Sequence, residues 1–382
     1  MNPLEVHLPT PHSTQETEPR HEENCFDVLR FVAALMVLVS HSFALVGMPE
    51  PTVFHYTLGG LGVNIFFVTS GYLICQSWQR DDSPARYLIR RGLRIFPALG
   101  VILLVTAFFI GPLMSSRAVD SYFSDSETYR YLGNFYFGGG RGLPGVFETN
   151  PYPKTVNGGL WTLKYEFFMY ICLLGLGILG KWKKKLFPIG LAVAIIASAS
   201  AAFWIALPQD QVSTALPGHA VLSKIRFGLS STALRFPELA CYFLLGTGFA
   251  YWRRSVTFRW TIFAALVIAW YVISAWSVSL FLILALVAYG SLTFGNARFS
   301  PLTRFGKRGD FSYGIYIYGF VVQQSMSHLL GPSTPWGLSL ILSFAATLGL
   351  AFLSWNLIEA PALKAKDSLC ALVSRGAPVK PV

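Results

Sequence analysis

Charge is scarce in this chain. Only 13% of its 382 residues are Asp, Glu, Lys or Arg, about half the share of a soluble domain, against 53% hydrophobic. That shortage argues against two soluble domains and for one membrane domain. Cysteine pairing is missing too: Cys25, Cys75, Cys172, Cys241 and Cys370 stand apart, mostly in apolar stretches, with neither disulfide-framework nor metal-ligand spacing. They read as packing residues, and no metal site is expected. No GxSxG elbow, HExxH or GxxxxGK[ST] is present, nor a dinucleotide fingerprint in a strand-turn-helix setting. The period-two alternation of a transmembrane barrel is lacking, as are the internal repeats of many secondary transporters. Residues 1–25 are polar and rich in Glu, His and Pro, without the apolar run and small-residue cleavage site of a signal peptide. They are expected to form a disordered cytoplasmic tail.

What the chain has in quantity is long apolar runs. A hydrocarbon core of about 30 Å takes roughly 17 to 25 helical residues to cross. Runs of that kind lie near 27–46, 59–78, 95–113, 160–180, 186–206, 234–251, 258–275, 277–295, 311–330 and 337–357. The expected fold is all-α: a polytopic integral membrane bundle of about ten transmembrane helices over residues 26–364, with a cytoplasmic tail over 365–382. The net charge of +11 does not point to nucleic acid, because the basic residues fall in short clusters between apolar runs. Alternate connections carry them, as in Arg80 to Arg91, Lys181 to Lys185, Arg253 to Arg259 and Arg298 to Arg308, while the turns at 47–58 and 331–336 have none. The positive-inside rule then puts both termini in the cytoplasm. The loop 114–159 is exported and too long for a mere connector, which suits a cover over an acceptor site.

Ionisable groups at membrane depth are costly enough to suggest function. The first run holds Asp27 and Arg30 at its cytoplasmic end and His41 eleven residues beyond Arg30. At 3.6 residues per turn, eleven residues return to within about 20° of the starting direction, and a rise of 1.5 Å per residue separates the two by roughly 16 Å. One helical face therefore suits a long substrate with its anionic end at Arg30 and its reactive end at His41. A histidine with an ordinary pKa of about 6.5 serves as a general base near neutrality; a buried, merely hydrogen-bonded imidazole is the alternative. Arg91 and Arg94, three apart on a starting helix, are placed to grip phosphate oxygens, or simply to anchor the helix at the cytoplasmic boundary. Glycines at 59, 60, 62 and 71 allow the second helix to pack closely on the first. Glu166 lies inside the fourth run, where it can orient His41 or pair with Arg235. Glu238 and Glu359 stand at helix ends in structural positions.

Six elements, in order, resemble the membrane-bound acyltransferase family three. They are Asp27-Val28-Leu29-Arg30 with His41; Phe66-Phe67-Val68-Thr69-Ser70-Gly71-Tyr72; Arg91-Gly92-Leu93-Arg94; Leu160-Trp161-Thr162-Leu163-Lys164-Tyr165-Glu166; Phe311-Ser312-Tyr313-Gly314-Ile315-Tyr316; and Trp355-Asn356-Leu357-Ile358-Glu359-Ala360-Pro361. The resemblance runs from Phe26 to about Lys364. It implies transfer of an acyl group, usually acetyl, from cytoplasmic acyl-CoA to a hydroxyl of an extracytoplasmic carbohydrate such as exopolysaccharide, lipopolysaccharide or lipo-oligosaccharide. It further implies an inner-membrane location, acyl-CoA as a co-substrate rather than a resident cofactor, and a carbohydrate or lipid-linked glycan acceptor. His41 is then the catalytic base, with Glu166 assisting; Arg30, Arg91 and Arg94 bind acyl-CoA; Asp27, Ser70 and Glu359 support them. Many relatives carry a histidine near the position of Gly319, which this chain lacks. The soluble esterase-like domain fused to some relatives is not expected either. A transporter of a sugar, lipid or acyl group without transfer chemistry is the rival reading, and a non-catalytic scaffold the next.

Overall fold

The computed structural model describes residues 24–207, 231–274 and 279–375. The expected N-terminal tail up to residue 23, the turn around Trp276 and the last seven residues lie outside them.

Ten principal helices follow one another: α1 Phe26–Ala44, α2 Leu58–Arg80, α3 Pro84–Val105, α4 Leu163–Trp182, α5 Leu186–Ala206, α6 Phe236–Tyr251, α7 Trp260–Ile273, α8 Ser279–Gly295, α9 Ser312–Leu330 and α10 Trp336–Ser354. Each falls on one of the apolar runs. Their ends carry local signals. The Thr57 hydroxyl accepts from the Gly60 N–H to open α2. Pro84 takes the first turn of α3, where its missing N–H costs nothing. Between α2 and α3, Asp81 bonds Arg86 (2.6 Å) and Arg90 (2.6 Å), and these bonds, that of Arg86 first, hold its carboxyl well below the usual range. The sole sheet among the described residues is a two-stranded hairpin, Thr52–Val53 with Tyr56–Thr57, between α1 and α2.

Six helical stretches are long and apolar enough to cross a membrane: Phe26–Ala44, Leu58–Arg80, Pro84–Met114, Gly158–Trp182, Leu186–Ala206 and Trp336–Leu372. α7 and α8 are shorter apolar helices. α6 and α9 are largely buried among other helices, and α9 encloses Ser312, Gln323 and Gln324, so contact with protein rather than lipid explains their departure from a purely apolar run. Phe109, Leu113, Ile196, Ile268, Ile341 and Leu357 are exposed on the outer helices, a distribution that fits a lipid-facing surface. The chain is a multi-pass membrane protein. Residues 365–375, assigned to a tail, are helical: α10 runs through a π-turn, Trp355–Glu359, into α11, Ala360–Arg375, which packs on α3.

α2 is the central helix, set against α1 on one side and α6 on the other. Its glycines explain both contacts. A methyl group at Gly62 would come within 2.6 Å of the Ala33 carbonyl of α1, and one at Gly71 would collide with the Phe243 backbone of α6. The small residues therefore seat α2 on two partners, whereas the sequence pattern pointed to α1 alone.

Candidate active site

Five helices converge on a cavity of about 90 Å³, lined by apolar and polar side chains together, at the end of the bundle where α1 begins. Arg30 of α1, Ser70 of α2, Arg91 and Arg94 of α3, Glu166 and Tyr170 of α4, and Tyr313 and Tyr316 of α9 line it. Asp310, just before α9, ties two of the arginines together: Arg30 lies 2.8 Å from its Oδ2, and Arg94 bonds the same oxygen. Arg30 also pairs with Asp27 at 2.7 Å, and Arg94 reaches Glu359 at 3.6 Å. Glu359 in turn accepts from Ser354 (2.9 Å). Arg91 has no acidic partner among the described residues, and its buried Nε is without a hydrogen bond there. Of the three arginines expected at an anionic donor, two are neutralised within the protein and one is not.

Glu166 accepts hydrogen bonds from Ser70 Oγ (2.8 Å) and from the Tyr170 hydroxyl. Neither contact offered for it from the sequence is formed. It belongs to the arginine-lined cavity rather than to that of His41, and Arg235 pairs instead with Glu238 at 3.5 Å. The reason is helical phase. α4 starts from a 3-10 turn, Gly158–Thr162, capped by Asn157, whose side-chain amide also donates to the Ile317 carbonyl of α9 (2.8 Å). That start turns Glu166 toward α2.

His41 lines two adjoining cavities of about 340 and 300 Å³ toward the other end of α1. Its ring meets Phe320 edge-on, 5.1 Å between centroids, and its imidazole has no hydrogen-bond partner among the described residues. Gly319, where many relatives carry a histidine, faces Leu38 of α1 and Thr347 of α10, whereas Phe320 beside it faces His41. Glu50, Trp161, Arg141, Lys164 and Asn157 also border these cavities, the last four contributed by the long loop and the start of α4. Sequence reasoning missed Glu50, Asp310 and Tyr316 as site residues.

Tyr316 lines both the arginine cavity and one His41 cavity. Its hydroxyl bonds Thr162 Oγ1 (2.5 Å) and donates to the Gly159 carbonyl (2.9 Å), so a hydrogen-bonded ring divides the two compartments. Tyr316 and Val63 thus form a shared wall between a cationic pocket and an imidazole chamber.

Residues 23–356 match the family described as Acyltransferase domain. The chain belongs to this acyltransferase family. As an acyltransferase it is similar to an O-acetyl transferase of Shigella phage Sf6, at 32% identity over 349 residues covering 89% of this chain and 96% of the phage protein. It is 29% identical over 390 residues to Nodulation protein 10 of Rhizobium leguminosarum bv. viciae, covering 94% and 98% of the two chains. Against the peptidoglycan O-acetyltransferase OatA of Listeria monocytogenes the identity is 25% over 387 residues, 88% of this chain and 55% of the relative. No solved structure matches. The acyltransferase is a membrane-bound O-acyltransferase.

Proposed function

We propose that the protein transfers an acetyl group from cytoplasmic acetyl-CoA to a hydroxyl of an extracytoplasmic polysaccharide or lipid-linked glycan in the inner membrane. The observation that carries this reading is the pairing of two compartments at Tyr316: one holds Arg91, without an acidic partner among the described residues, the other holds His41. A buried guanidinium without a counter-ion favours an anionic ligand, and the phosphates of coenzyme A supply one. The pantetheine arm then spans the distance from Arg91 to His41. A cavity of about 90 Å³ has the volume of only a few waters, so the arm enters by displacing Tyr316 from its ring of hydrogen bonds. The positive-inside pattern supports a cytoplasmic arginine pocket and cytoplasmic termini. The relatives named as O-acetyl transferase and peptidoglycan O-acetyltransferase support acetyl as the group and a polysaccharide as acceptor.

In the reaction, His41 removes the proton of an acceptor hydroxyl as its oxygen attacks the thioester carbonyl. The tetrahedral intermediate collapses, the C–S bond breaks, and the imidazolium returns the proton to the departing thiolate. Arg91 binds the donor, and Arg30 and Arg94 set its surroundings while Asp27, Asp310 and Glu359 balance their charge. Glu166, held by Ser70 and Tyr170, acts on the donor side. No resident cofactor or metal enters this scheme. Incubation of purified protein with acetyl-CoA tests it: thiol release that rises with added host glycan supports the transferase, whereas an intact thioester would favour the transporter.

A further inference from the structure

Glu50 lies in the loop after α1 and lines both cavities that contain His41. Its Oε2 accepts from Ser40 Oγ, and Ser40 is fully buried beside His41 in the chain. The carboxylate is therefore anchored to the end of α1. An ionised carboxylate only accepts hydrogen bonds, at roughly four lone-pair sites over two oxygens. Ser40 is its one donor among the described residues, and neither Arg141 nor Lys164, which border the same chamber, forms an ion pair with it. Lys164 lies over the Tyr165 ring at 4.7 Å, and Arg235, which lines one of the two cavities, is paired with Glu238. An anchored acceptor with unused lone pairs at an open chamber calls for a ligand rich in O–H donors. Trp161 borders both cavities too, and an indole is a flat, largely apolar surface of the kind on which a sugar ring can stack.

We infer that Glu50 is an acceptor-binding residue: its carboxylate takes hydrogen bonds from saccharide hydroxyls next to the one that His41 deprotonates, with the ring against Trp161. This rests on the acyl-transfer reading for its assignment of the His41 chamber to the acceptor. It also selects which hydroxyl is acylated, because the ring is held at Glu50 while His41 addresses a neighbouring position.

The test is equilibrium binding, without acetyl-CoA, of base-deacetylated surface polysaccharide from the producing cells to purified full-length protein. Glu50→Ala is expected to weaken binding by about tenfold or more, as for a lost charged hydrogen bond. Glu50→Gln, which keeps the shape and one acceptor oxygen, should weaken it less, and Asp367→Asn, exposed on α11, should leave it unchanged. In transfer assays the same Glu50 variants should raise the acceptor KM with little change in kcat. Binding by both Glu50 variants within twofold of wild type, or no binding by wild type, overturns the assignment. Should Glu50→Ala fail to insert, the near-isosteric Glu50→Gln decides. If wild type binds saccharide through Glu50 but leaves acetyl-CoA intact, the transferase reading fails and the binding site stands.

Discussion

Replacing Asp310 with Asn tests the account of the arginine pocket most sharply on the stability side. Asp310 is 12% exposed and faces Arg30 at 2.8 Å and Arg94 closer still, with those side chains 22% and 19% exposed. Removing one partner of a buried pair leaves an uncompensated charge and costs about 3 to 5 kcal/mol. Two features reduce that figure: Arg30 keeps Asp27 at 2.7 Å, and Arg94 keeps Glu359 at 3.6 Å. A loss of about 3 kcal/mol is the resulting expectation, or roughly a hundredfold in the unfolding equilibrium. Mixed-micelle unfolding followed by tryptophan fluorescence measures it. Adding Arg30→Met to Asp310→Asn should recover part of the loss, since taking away both partners costs less than taking away one and the other acid on Arg30, Asp27, is 41% exposed to solvent. If Asp310→Asn were as stable as wild type within about 0.5 kcal/mol, or if Arg30→Met deepened the loss additively, Asp310 would not be the charge centre described here.

Other outcomes follow from the same geometry. Arg91→Ala should raise the KM for acetyl-CoA by about tenfold or more, with stability close to wild type, because no acid among the described residues is paired with it; an unchanged KM would remove Arg91 from donor binding. Tyr316→Phe deletes the hydroxyl bonded to Thr162 and Gly159 and should increase acetyl-CoA hydrolysis in the absence of acceptor by a few fold, roughly the effect of one lost hydrogen bond; hydrolysis at the wild-type rate would show that the ring is no barrier. Gly71→Ala forces a Cβ into the Phe243 backbone and should cost about 1 to 3 kcal/mol, read as reduced thermal stability in detergent; a neutral effect would mean α2 and α6 part without penalty.

The helical architecture was legible in the sequence because the thickness of a bilayer sets the length of an apolar run, and that length survives whatever packs around it. All ten principal helices fall on such runs. The arginine pocket was partly legible: Arg30, Arg91, Arg94, Ser70 and Glu166 do line one cavity. Their partners were not, because Arg94 meets Asp310 across 216 positions and Ser70 meets Glu166 across 96, and such pairings are set by helix packing rather than by spacing. Helical periodicity placed Arg30 and His41 on one side of α1 but carried no information about the tyrosine that separates their compartments. Asp310 left one signal, an acidic residue just before a helix whose carboxylate accepts from the Ser312 N–H (3.2 Å), which reads as an ordinary cap. Glu50 left none, since a glutamate in a short loop is commonplace.

The central claim is that His41 is the base for acyl transfer to a surface glycan. Membranes carrying wild-type protein or His41→Ala, given radiolabelled acetyl-CoA and the surface glycan of the host, address it directly. Label entering glycan with wild type and not with a fully inserted His41→Ala is the predicted result; label entering at near wild-type rate with His41→Ala would contradict it.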